Sequence, residues 1–305
     1  MVVEIARGGM GRIFRGEDVP LKRHVAVKVS SLSQGEMDPR FEREAQVLAQ
    51  LAHPNIVPIH ALGFDGQRRP YYSMKLVEGR TLQAILDALR DGDGAALQDY
   101  PRARLLTIFR KVCDAMAFAH SKRILHRDLK PENIMVGAFG EVLVMDWGLA
   151  KNLGDGDDRA GAVTRSADTG NYGMTMEGDV MGTPQYMSPE QAEGMVAGLD
   201  ERSDIYSLGG ILYALLTLRP PVEGKTLQEV LTKVKSGQIS SMMTRRGDGG
   251  KVVVNSPAQM DRSVPEALRA VTMKAMALDR SGRYPSVEGF ASDIEAYQNG
   301  FATAA

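Results

Sequence analysis

The most informative stretch of this chain reads His126-Arg127-Asp128-Leu129-Lys130-Pro131-Glu132-Asn133. Within eight residues it contains a candidate general base in Asp128, a candidate phosphate-facing cation in Lys130 and a candidate metal ligand in Asn133. A carboxylate, a cation and an amide oxygen at this spacing suit phosphoryl transfer, in which catalysis consists mainly of positioning and charge stabilisation. Because so short a match can arise by chance, the prediction depends on whether the other required parts occur in order along the chain.

The composition allows a sizeable core but does not choose a fold. A chain of 305 residues fits one large two-lobed domain or two small domains. Its 37 basic and 38 acidic residues nearly cancel, so no long-range basic field points to a nucleic acid or an anionic membrane. The only cysteine is Cys113, which excludes an internal disulfide and a zinc site built from cysteines and suits a reducing compartment.

No feature of the sequence predicts a membrane span. No stretch approaches the roughly 18 consecutive apolar residues of a spanning helix. Charged residues at Glu4, Arg7 and Arg12 stand where a signal peptide would need an apolar run. We therefore expect a soluble, cytoplasmic chain. The chain starts almost directly on a glycine-rich stretch that begins at Ile5. It is therefore also possible that the chain is part of a longer, membrane-anchored protein.

The apolar pattern divides the chain into a β-rich first part and a mainly helical second part. Up to about residue 80, short β-type runs such as 56–62 alternate with one helical pattern at 41–51. From Thr81 onward, apolar residues recur mostly at helical spacing. Between residues 154 and 182 the sequence is rich in Gly, Asp, Ser and Thr and poor in apolar residues, which predicts a mobile loop.

A glycine-rich hairpin is predicted near the amino terminus, at Ile5-Ala6-Arg7-Gly8-Gly9-Met10-Gly11-Arg12-Ile13. Glycines let backbone N–H groups approach phosphate oxygens closely, although such a loop alone is equally consistent with an ordinary tight hairpin. The next strand carries Val25-Ala26-Val27-Lys28. A lysine between small apolar residues and downstream of such a loop favours a phosphate contact over an exposed edge charge.

Glu44 is the candidate partner of Lys28. It lies beside the apolar face of the predicted helix, which includes Phe41, Ala45 and Leu48. A carboxylate in that position needs a cationic partner, because a lone buried charge is costly.

A further motif, Asp146-Trp147-Gly148, begins eighteen residues after Asp128 and follows a β-rich run. With these motifs in order, the chain from Ile5 to about Tyr297 resembles the eukaryotic-type (Hanks-type) Ser/Thr protein kinases, and particularly their bacterial branch. The resemblance implies one α+β protein-kinase domain of two lobes across residues 1–305. The small β-rich N-lobe, with one main helix, is expected at about 1–77, the hinge at about 75–79 and the larger helical C-lobe at about 80–300.

The resemblance also implies an activity, the transfer of the γ-phosphoryl group of ATP to Ser/Thr hydroxyls of proteins. Lys130 beside the base matches the Ser/Thr version of this loop. The implied catalytic residues are Asp128, Lys130, Lys28 and Glu44. Asn133 and Asp146 are implied to bind Mg²⁺, with Mn²⁺ as an alternative.

Positions matching the nucleotide site of the family give the expected ATP contacts. Met74 is expected to be the gatekeeper, with the hinge following it. The expected contacts are Ile5, Ala6, Gly8, Gly9, Gly11, Ile13, Ala26, Lys28, Met74, Lys75, Val77 and Met135. An internal apolar stack is expected from Leu48, Ile59, His126 and Trp147, in which Trp147 stands in place of the usual Phe.

The stretch Gly182-Thr183-Pro184-Gln185-Tyr186-Met187-Ser188-Pro189-Glu190 looks like the end of an activation segment. The resemblance pairs Glu190 with Arg283 and makes Asp204 a buried anchor under the catalytic loop, residues 126–133. Arg127 is expected to form a basic pocket that a phosphate on the segment can neutralise. Autophosphorylation is expected between residues 154 and 182, with Thr175 favoured because it lies eight residues before Thr183. The candidate phosphorylation sites are Thr175, Thr169, Ser166 and Thr164.

Two alternatives to a protein kinase stay open from the sequence. Ala6, Lys75 and Trp147 depart from the usual family residues and keep a pseudokinase scaffold possible, although no catalytic side chain is missing. A small-molecule kinase is the second alternative, against which the peptide platform at 182–190 argues. The expected partners are protein substrates and no nucleic acid, and a homodimer through the N-lobes stays open.

Overall fold

The computed structural model describes residues 3–8, 11–31, 37–153, 184–195, 198–242 and 264–305. Gly9, Thr183 and the four candidate phosphorylation sites Thr164, Ser166, Thr169 and Thr175 lie outside these ranges.

A five-stranded antiparallel sheet forms the first part of the molecule, with the strand order β1-β2-β3-β5-β4. The strands are β1 Val3–Gly8, β2 Gly11–Asp18, β3 Arg23–Ser30, β4 Ile59–Phe64 and β5 Pro70–Lys75. The predicted glycine-rich hairpin connects β1 to β2, where Gly8 pairs with Gly11. Gly11 is required by packing, because a Cβ there would meet the carbonyl oxygen of Val29 at 2.3 Å.

One helix, α1 Pro39–Gln50, packs on this sheet. It begins two residues before the predicted start, because Asp38 caps it through the backbone N–H of Arg40 and Pro39 follows as the first helical residue. Its buried face contains Phe41, Glu44, Ala45, Val47 and Leu48. The sequence-based interpretation of this helix was therefore right about its face and wrong about its first turn.

The second part is mainly helical, as predicted, and the α+β arrangement is confirmed. Its helices are α2 Leu82–Arg90, α3 Gly94–Asp99, α4 Arg102–Ser121, α5 Pro189–Ala192, α6 Glu201–Thr217, α7 Leu227–Lys235, α8 Glu266–Ala275 and α9 Val287–Gln298. Short 3-10 helices span Pro131–Asn133, Pro184–Tyr186 and Arg280–Gly282. The central helix α6 is buried from Ser203 to Leu216, so its polar residues need partners inside the fold.

Short strands between the helices carry the loops of the site. They are β6 Gly79–Thr81, β7 Ile124–Leu125, β8 Ile134–Gly137, β9 Val142–Val144 and β10 Lys151–Asn152. They form a three-stranded sheet in the order β6-β8-β9 and a two-stranded sheet of β7 and β10. Hydrogen bonds tie β9 to the first part, since the N–H of Val144 donates to the Asn55 carbonyl at 2.8 Å.

The strand predicted at 56–62 begins later than expected. Ile56 forms an isolated parallel bridge with Val144, and β4 starts only at Ile59. The apolar residue at position 56 thus serves the junction between the two parts and not the sheet. Across the described ranges, no helix has both the length and the apolarity that crossing a membrane requires.

Candidate active site

The loop between β7 and β8 holds Asp128 through its own side chains. Lys130 Nζ donates to Asp128 Oδ2 at 2.8 Å. The amide nitrogen of Asn133 donates to the same oxygen at 3.2 Å and to the Asp128 backbone carbonyl at 2.8 Å. The Asp128 side chain is about a quarter exposed, at 26%. The three residues predicted from the spacing of this loop therefore form one contact cluster that remains open to solvent.

Asp204 on α6 supports the backbone of this loop through hydrogen bonds, as the resemblance implied. Its Oδ2 accepts from the backbone N–H of His126 at 2.9 Å, and its Oδ1 accepts from the backbone N–H of Arg127 at 2.9 Å. Burial alone would raise the pKa of Asp204, but the hydrogen bonds from His120 and Arg127 and the nearby histidine charges lower it. The carboxylate is therefore kept as an acceptor for the loop.

His120 is a residue of the site that the sequence analysis did not single out. Its Nε2 lies 2.8 Å from Asp204 Oδ2 and its side chain is 9% exposed. His120 lies in the last turn of α4, and no pattern in the sequence relates it to a residue on α6. Only the packing of α4 against α6 brings the two side chains together.

The hairpin of β8 and β9 brings the backbone at Asn133 next to the segment that carries Asp146. Ile134 pairs with Val144 in this hairpin, and one step further the N–H of Met145 donates to the Asn133 carbonyl at 2.9 Å. Asp146 follows directly and is exposed, with the left-handed backbone angle φ of 60°. Because the Asn133 amide nitrogen is committed to Asp128, its oxygen is the atom that it can offer to a cation.

Trp147 packs where the resemblance expected an apolar ring. Its side chain is 1% exposed, and its ring centroid lies 4.6 Å from that of His126. The indole Nε1 has no hydrogen-bond partner among the described residues. His126 in turn places Nε2 3.0 Å from the Met145 carbonyl, so the stack links the catalytic loop to the segment that carries Asp146.

Lys28 and Glu44 form the ion pair that the sequence predicted. Lys28 Nζ lies 2.7 Å from both Glu44 Oε1 and Glu44 Oε2. The side chains are 10% and 1% exposed, respectively. Tyr72 on β5 was not anticipated, and its hydroxyl donates to Glu44 Oε1 at 2.9 Å. Together with Tyr72, the ion pair forms a buried cluster of three residues.

The register of the first sheet places several predicted ATP contacts on one face. Ile13 is opposite Lys28 across β2 and β3, and Ala26 is opposite Met74 across β3 and β5. Residues directly opposite in an antiparallel pair share a face, and so do residues two apart on one strand. Lys28, Ala26, Ile13 and Met74 therefore lie on the same side of the sheet.

Other predicted contacts lie on β1, on β8 of the three-stranded sheet and in the connection after β5. Ile5 lies in an irregularity of β1 between Glu4 and Ala6 and is 49% exposed. Met135 lies on β8, opposite Thr81 and Leu143. Val77 is half-buried in the connection between β5 and β6. The side chain of Lys75 forms an ion pair with Glu141, and its backbone N–H donates to the Pro58 carbonyl at 3.1 Å.

Glu190 and Arg283 pair as the resemblance implied. Arg283 Nη1 donates to Glu190 Oε1 at 2.8 Å, and Nη2 donates to Oε2 at 3.0 Å, in a two-point contact. Ser203 on α6 adds a third donor to Oε1 at 2.7 Å. The carboxylate is thereby fully enclosed at the start of α5.

Gln191 is a third residue that the sequence did not single out. Its Nε2 donates to the Arg127 carbonyl at 2.7 Å, and its Oε1 accepts from the Ser188 hydroxyl at 2.9 Å. It therefore joins the end of the predicted activation segment to the catalytic loop. The Arg127 Nε donates to the Leu149 carbonyl at 2.6 Å, three residues after Asp146.

A family model described as the protein kinase domain matches residues 1–292. The chain belongs to the protein kinase domain family. It is similar to the serine/threonine-protein kinase PknD of Protochlamydia amoebophila, with 38% identity over 309 residues. It is also similar to the PknD proteins of Chlamydia pneumoniae, with 32% identity over 302 residues, and of Chlamydia caviae, with 35% over 305 residues. These alignments cover 97–98% of this chain but only 30% of each relative's length.

Membership of the protein kinase family implies ATP and a divalent metal ion, together with protein substrates. The site fits this chemistry. In the described ranges, no group of three or more His, Cys, Asp or Glu residues is arranged to hold a metal ion. Asn133 and Asp146 offer oxygen ligands but too few to enclose a cation, which suits an ion that completes its shell with phosphate oxygens and water.

The two sides of the site are close enough to interact. The pKa of Tyr72 is raised well above its ordinary value, mainly by burial and by the Glu44 carboxylate, and the negative charge of Asp146 contributes further. The Lys28 cluster and the segment that carries Asp146 thus lie within electrostatic reach of each other. The resemblance to kinases, stated from the motifs, is confirmed by the family match.

Proposed function

We propose that this chain transfers the γ-phosphoryl group of ATP to Ser/Thr hydroxyls of proteins. The observation that carries the proposal is the contact of Lys130 Nζ with Asp128 Oδ2 at 2.8 Å. It sets a cation for the transferred group next to the base for the attacking hydroxyl. The named relatives support the same class of activity, since each is a serine/threonine-protein kinase.

Each catalytic side chain has a distinct part in the proposed transfer. Asp128 accepts the proton of the substrate hydroxyl and orients its oxygen. Both described bonds to the carboxylate use Oδ2, which leaves Oδ1 for that hydroxyl. Lys130 stabilises the charge of the group in transfer. Lys28, held by Glu44, contacts the α- and β-phosphates.

Mg²⁺ is the proposed metal ion, with Mn²⁺ as an alternative, and Asn133 and Asp146 would hold it. When bound, such an ion neutralises charge on the phosphate oxygens. The proposed nucleotide contacts come from the sheet face described above, the glycine-rich turn, the predicted hinge and β8. They are Ile5, Ala6, Gly8, Gly9, Gly11, Ile13, Ala26, Lys28, Met74, Lys75, Val77 and Met135.

The proposal is tested by a phosphotransfer assay on the purified chain with ATP, a generic basic protein and either Mg²⁺, Mn²⁺ or a chelator. Native protein is compared with Lys28→Met and Asp128→Asn. The matched control is Lys225→Met, which removes an exposed lysine. Transfer by the native chain and the control, with loss in both site variants and in chelator, supports the proposal. Transfer by Asp128→Asn at the native rate would contradict it.

Autophosphorylation between residues 154 and 182 is a further part of the proposal. The acceptors are Thr175, Thr169, Ser166 and Thr164, and a phosphate there would be drawn to the positive charge of Arg127. Mass spectrometry of native protein and Asp128→Asn after incubation with ATP and Mg²⁺ tests it. Phosphate on this segment in the native chain alone is the expected result, and its absence from the native chain would count against the proposal.

The pseudokinase alternative rests on three departures from the usual family residues, and two of them are accommodated. Trp147 is buried against His126, and the side chain of Lys75 is engaged by Glu141. The named relatives lend the alternative no support.

Cytoplasmic location and a homodimer through the N-lobes remain proposals. Location is supported by the absence of any cysteine but the buried Cys113. Sedimentation of the purified chain across concentrations tests the dimer, and a single monomeric species would exclude it.

A further inference from the structure

Tyr72, on strand β5 of the sheet, makes both an apolar and a polar contact with helix α1. The ring of Tyr72 packs on Phe41, with a centroid separation of 5.1 Å and an interplanar angle of 44°. Its hydroxyl donates to Glu44 Oε1 at 2.9 Å. Phe41 and Glu44 are three residues apart and so lie on the same face of α1. One side chain of β5 therefore contacts two successive positions of the helix face.

The strand register explains why Tyr72 reaches this point. Tyr72 is directly opposite Lys28 across β3 and β5, so both side chains lie on the face that α1 covers. The ammonium of Lys28 lies 5.8 Å from the centroid of the Tyr72 ring. Glu44 thus approaches a prearranged pair of donors, one from each strand.

Burial makes the hydrogen bond between Tyr72 and Glu44 energetically important. Tyr72 and Glu44 are 1% and 2% exposed, so water cannot replace a lost hydrogen bond. Burial and the charge of Glu44 raise the pKa of Tyr72, so its hydroxyl stays protonated and donates to the carboxylate. Glu44 Oε1 accepts from both Lys28 and Tyr72, whereas Oε2 accepts from Lys28.

The two donors differ in what else they can bind. An ammonium group has three N–H donors, and Lys28 must share them with phosphate oxygens when ATP binds. The hydroxyl of Tyr72 has a single O–H, which is directed at Glu44 and is not required by the nucleotide. Tyr72 can therefore keep Glu44 in place while Lys28 turns to its ligand.

We propose that Tyr72 is a positioning residue that acts through Glu44, holding α1 docked on the sheet so that Lys28 is presented to ATP. This inference rests on the proposed function for its consequence in catalysis, but the docking of α1 can be measured without any activity. Among the described residues, the Tyr72 hydroxyl is hydrogen-bonded to Glu44 and not to the proposed base Asp128 or the proposed metal ligands.

The test uses variants of the whole chain that remove one hydroxyl each. Tyr72→Phe keeps the ring on Phe41 and removes only the donor. Tyr71→Phe is the matched control, because it removes a hydroxyl from the adjacent residue, which faces the other side of β5. Glu44→Met and the double variant Glu44→Met with Tyr72→Phe remove the carboxylate through which Tyr72 is inferred to act.

Two readouts are measured on all five proteins. The first is amide hydrogen exchange of peptides from α1, residues 39–50, without nucleotide. The second is kcat and KM for ATP with a basic protein substrate. Thermal unfolding of each variant shows whether the fold is retained, so that a globally unfolded chain is not mistaken for loss of docking.

The expected result is specific to Tyr72→Phe. A hydrogen bond to a buried charge corresponds to roughly a ten- to hundredfold change in an equilibrium. Exchange in α1 should rise at least threefold over Tyr71→Phe, and kcat/KM for ATP should fall on the order of tenfold. In the Glu44→Met background, adding Tyr72→Phe should change neither readout by more than about twofold.

Two outcomes would overturn the inference. The first is an amide hydrogen exchange rate in α1 that is less than threefold higher in Tyr72→Phe than in Tyr71→Phe. The second is that Tyr72→Phe changes exchange and kcat/KM equally in the native and Glu44→Met backgrounds. That result would show that Tyr72 acts by general packing and not through Glu44. If the native chain transfers no phosphate, the proposed function fails and the exchange comparison alone decides about Tyr72.

Discussion

The carboxylate of Asp204 accepts a hydrogen bond from the backbone N–H of Arg127 at 2.9 Å, and Arg127 has a left-handed φ of 66°. This conformation is unfavourable for a residue other than glycine, typically by about 1–3 kcal/mol, and persists only where the surroundings enforce it. A buried side chain of α6 thus determines the backbone conformation directly before Asp128. The geometry of the catalytic loop is maintained by a helix to which the loop is not adjacent in sequence.

We expect Asp204→Asn to lower both stability and turnover. An amide cannot accept from both backbone N–H groups with its two terminal atoms, so one buried donor loses its partner. The cost should be about 1–3 kcal/mol in the free energy of unfolding. Urea unfolding and kcat measured on the same protein check this. Asp91→Asn, which removes an exposed carboxylate, should change neither, and a native kcat in Asp204→Asn would contradict the role.

Asp128→Asn and Lys28→Met should separate chemistry from nucleotide binding. Loss of the general base should lower kcat about 10²- to 10⁴-fold, with ATP affinity largely kept. Lys28→Met removes a phosphate contact and should weaken ATP binding directly. Fluorescent-nucleotide titration and initial rates measure the two effects. Equal losses of affinity in both variants would refute the assigned division of roles.

Gly11→Ala should weaken ATP binding, whereas Gly16→Ala on the same strand should not. A Cβ at Gly11 would lie 2.3 Å from the Val29 carbonyl oxygen, so the backbone has to move at the glycine-rich turn. At Gly16 the nearest atom is Val27 Cγ2 at 3.4 Å, an ordinary contact. KM for ATP should rise in the first variant by more than in the second. The reverse order would show that the turn tolerates displacement.

The Glu190–Arg283 pair should make stability depend on pH in the acid range. Burial tends to raise the pKa of Glu190, but the hydrogen bonds and charge of Arg283 lower it below its ordinary value of 4.5. A depressed folded-state pKa means that the carboxylate contributes stability above about pH 4.5, and that this contribution is lost as the pH falls through the folded pKa. Native protein should therefore lose stability below that pH.

Glu190→Gln checks the assignment, since it leaves Arg283 buried without its anion. Stability at pH 7 should fall by roughly 3–5 kcal/mol, and the decline towards acid should be shallower than in the native chain. Urea unfolding at neutral and acid pH measures both. Exposed Glu193 provides the control, and Glu193→Gln should follow the native curve. Parallel curves for Glu190→Gln and the native chain would exclude this pair as the source.

Much of the site could be predicted because its parts are short motifs with set spacing. The contacts of Asp128 with Lys130 and Asn133 span two and five residues, so the local chain can form them with little help. The ion pair of Lys28 with Glu44 was predicted from the position of Glu44 beside an apolar helix face, and that of Glu190 with Arg283 from the resemblance; both are confirmed. The assignments of catalytic, metal and nucleotide roles to these residues remain predictions.

The sequence alone determined the family, the order of the β-rich and helical parts and the identity of the buried charges that need partners. Only the tertiary structure decided which additional side chains, such as Tyr72 and His120, form hydrogen bonds with those charges. Tyr72 and Glu44 are 28 residues apart, and His120 and Asp204 are 84 apart. A motif records the spacing along a chain, whereas a hydrogen bond requires atoms within about 3 Å. Only strand register and helix packing bring such distant residues that close.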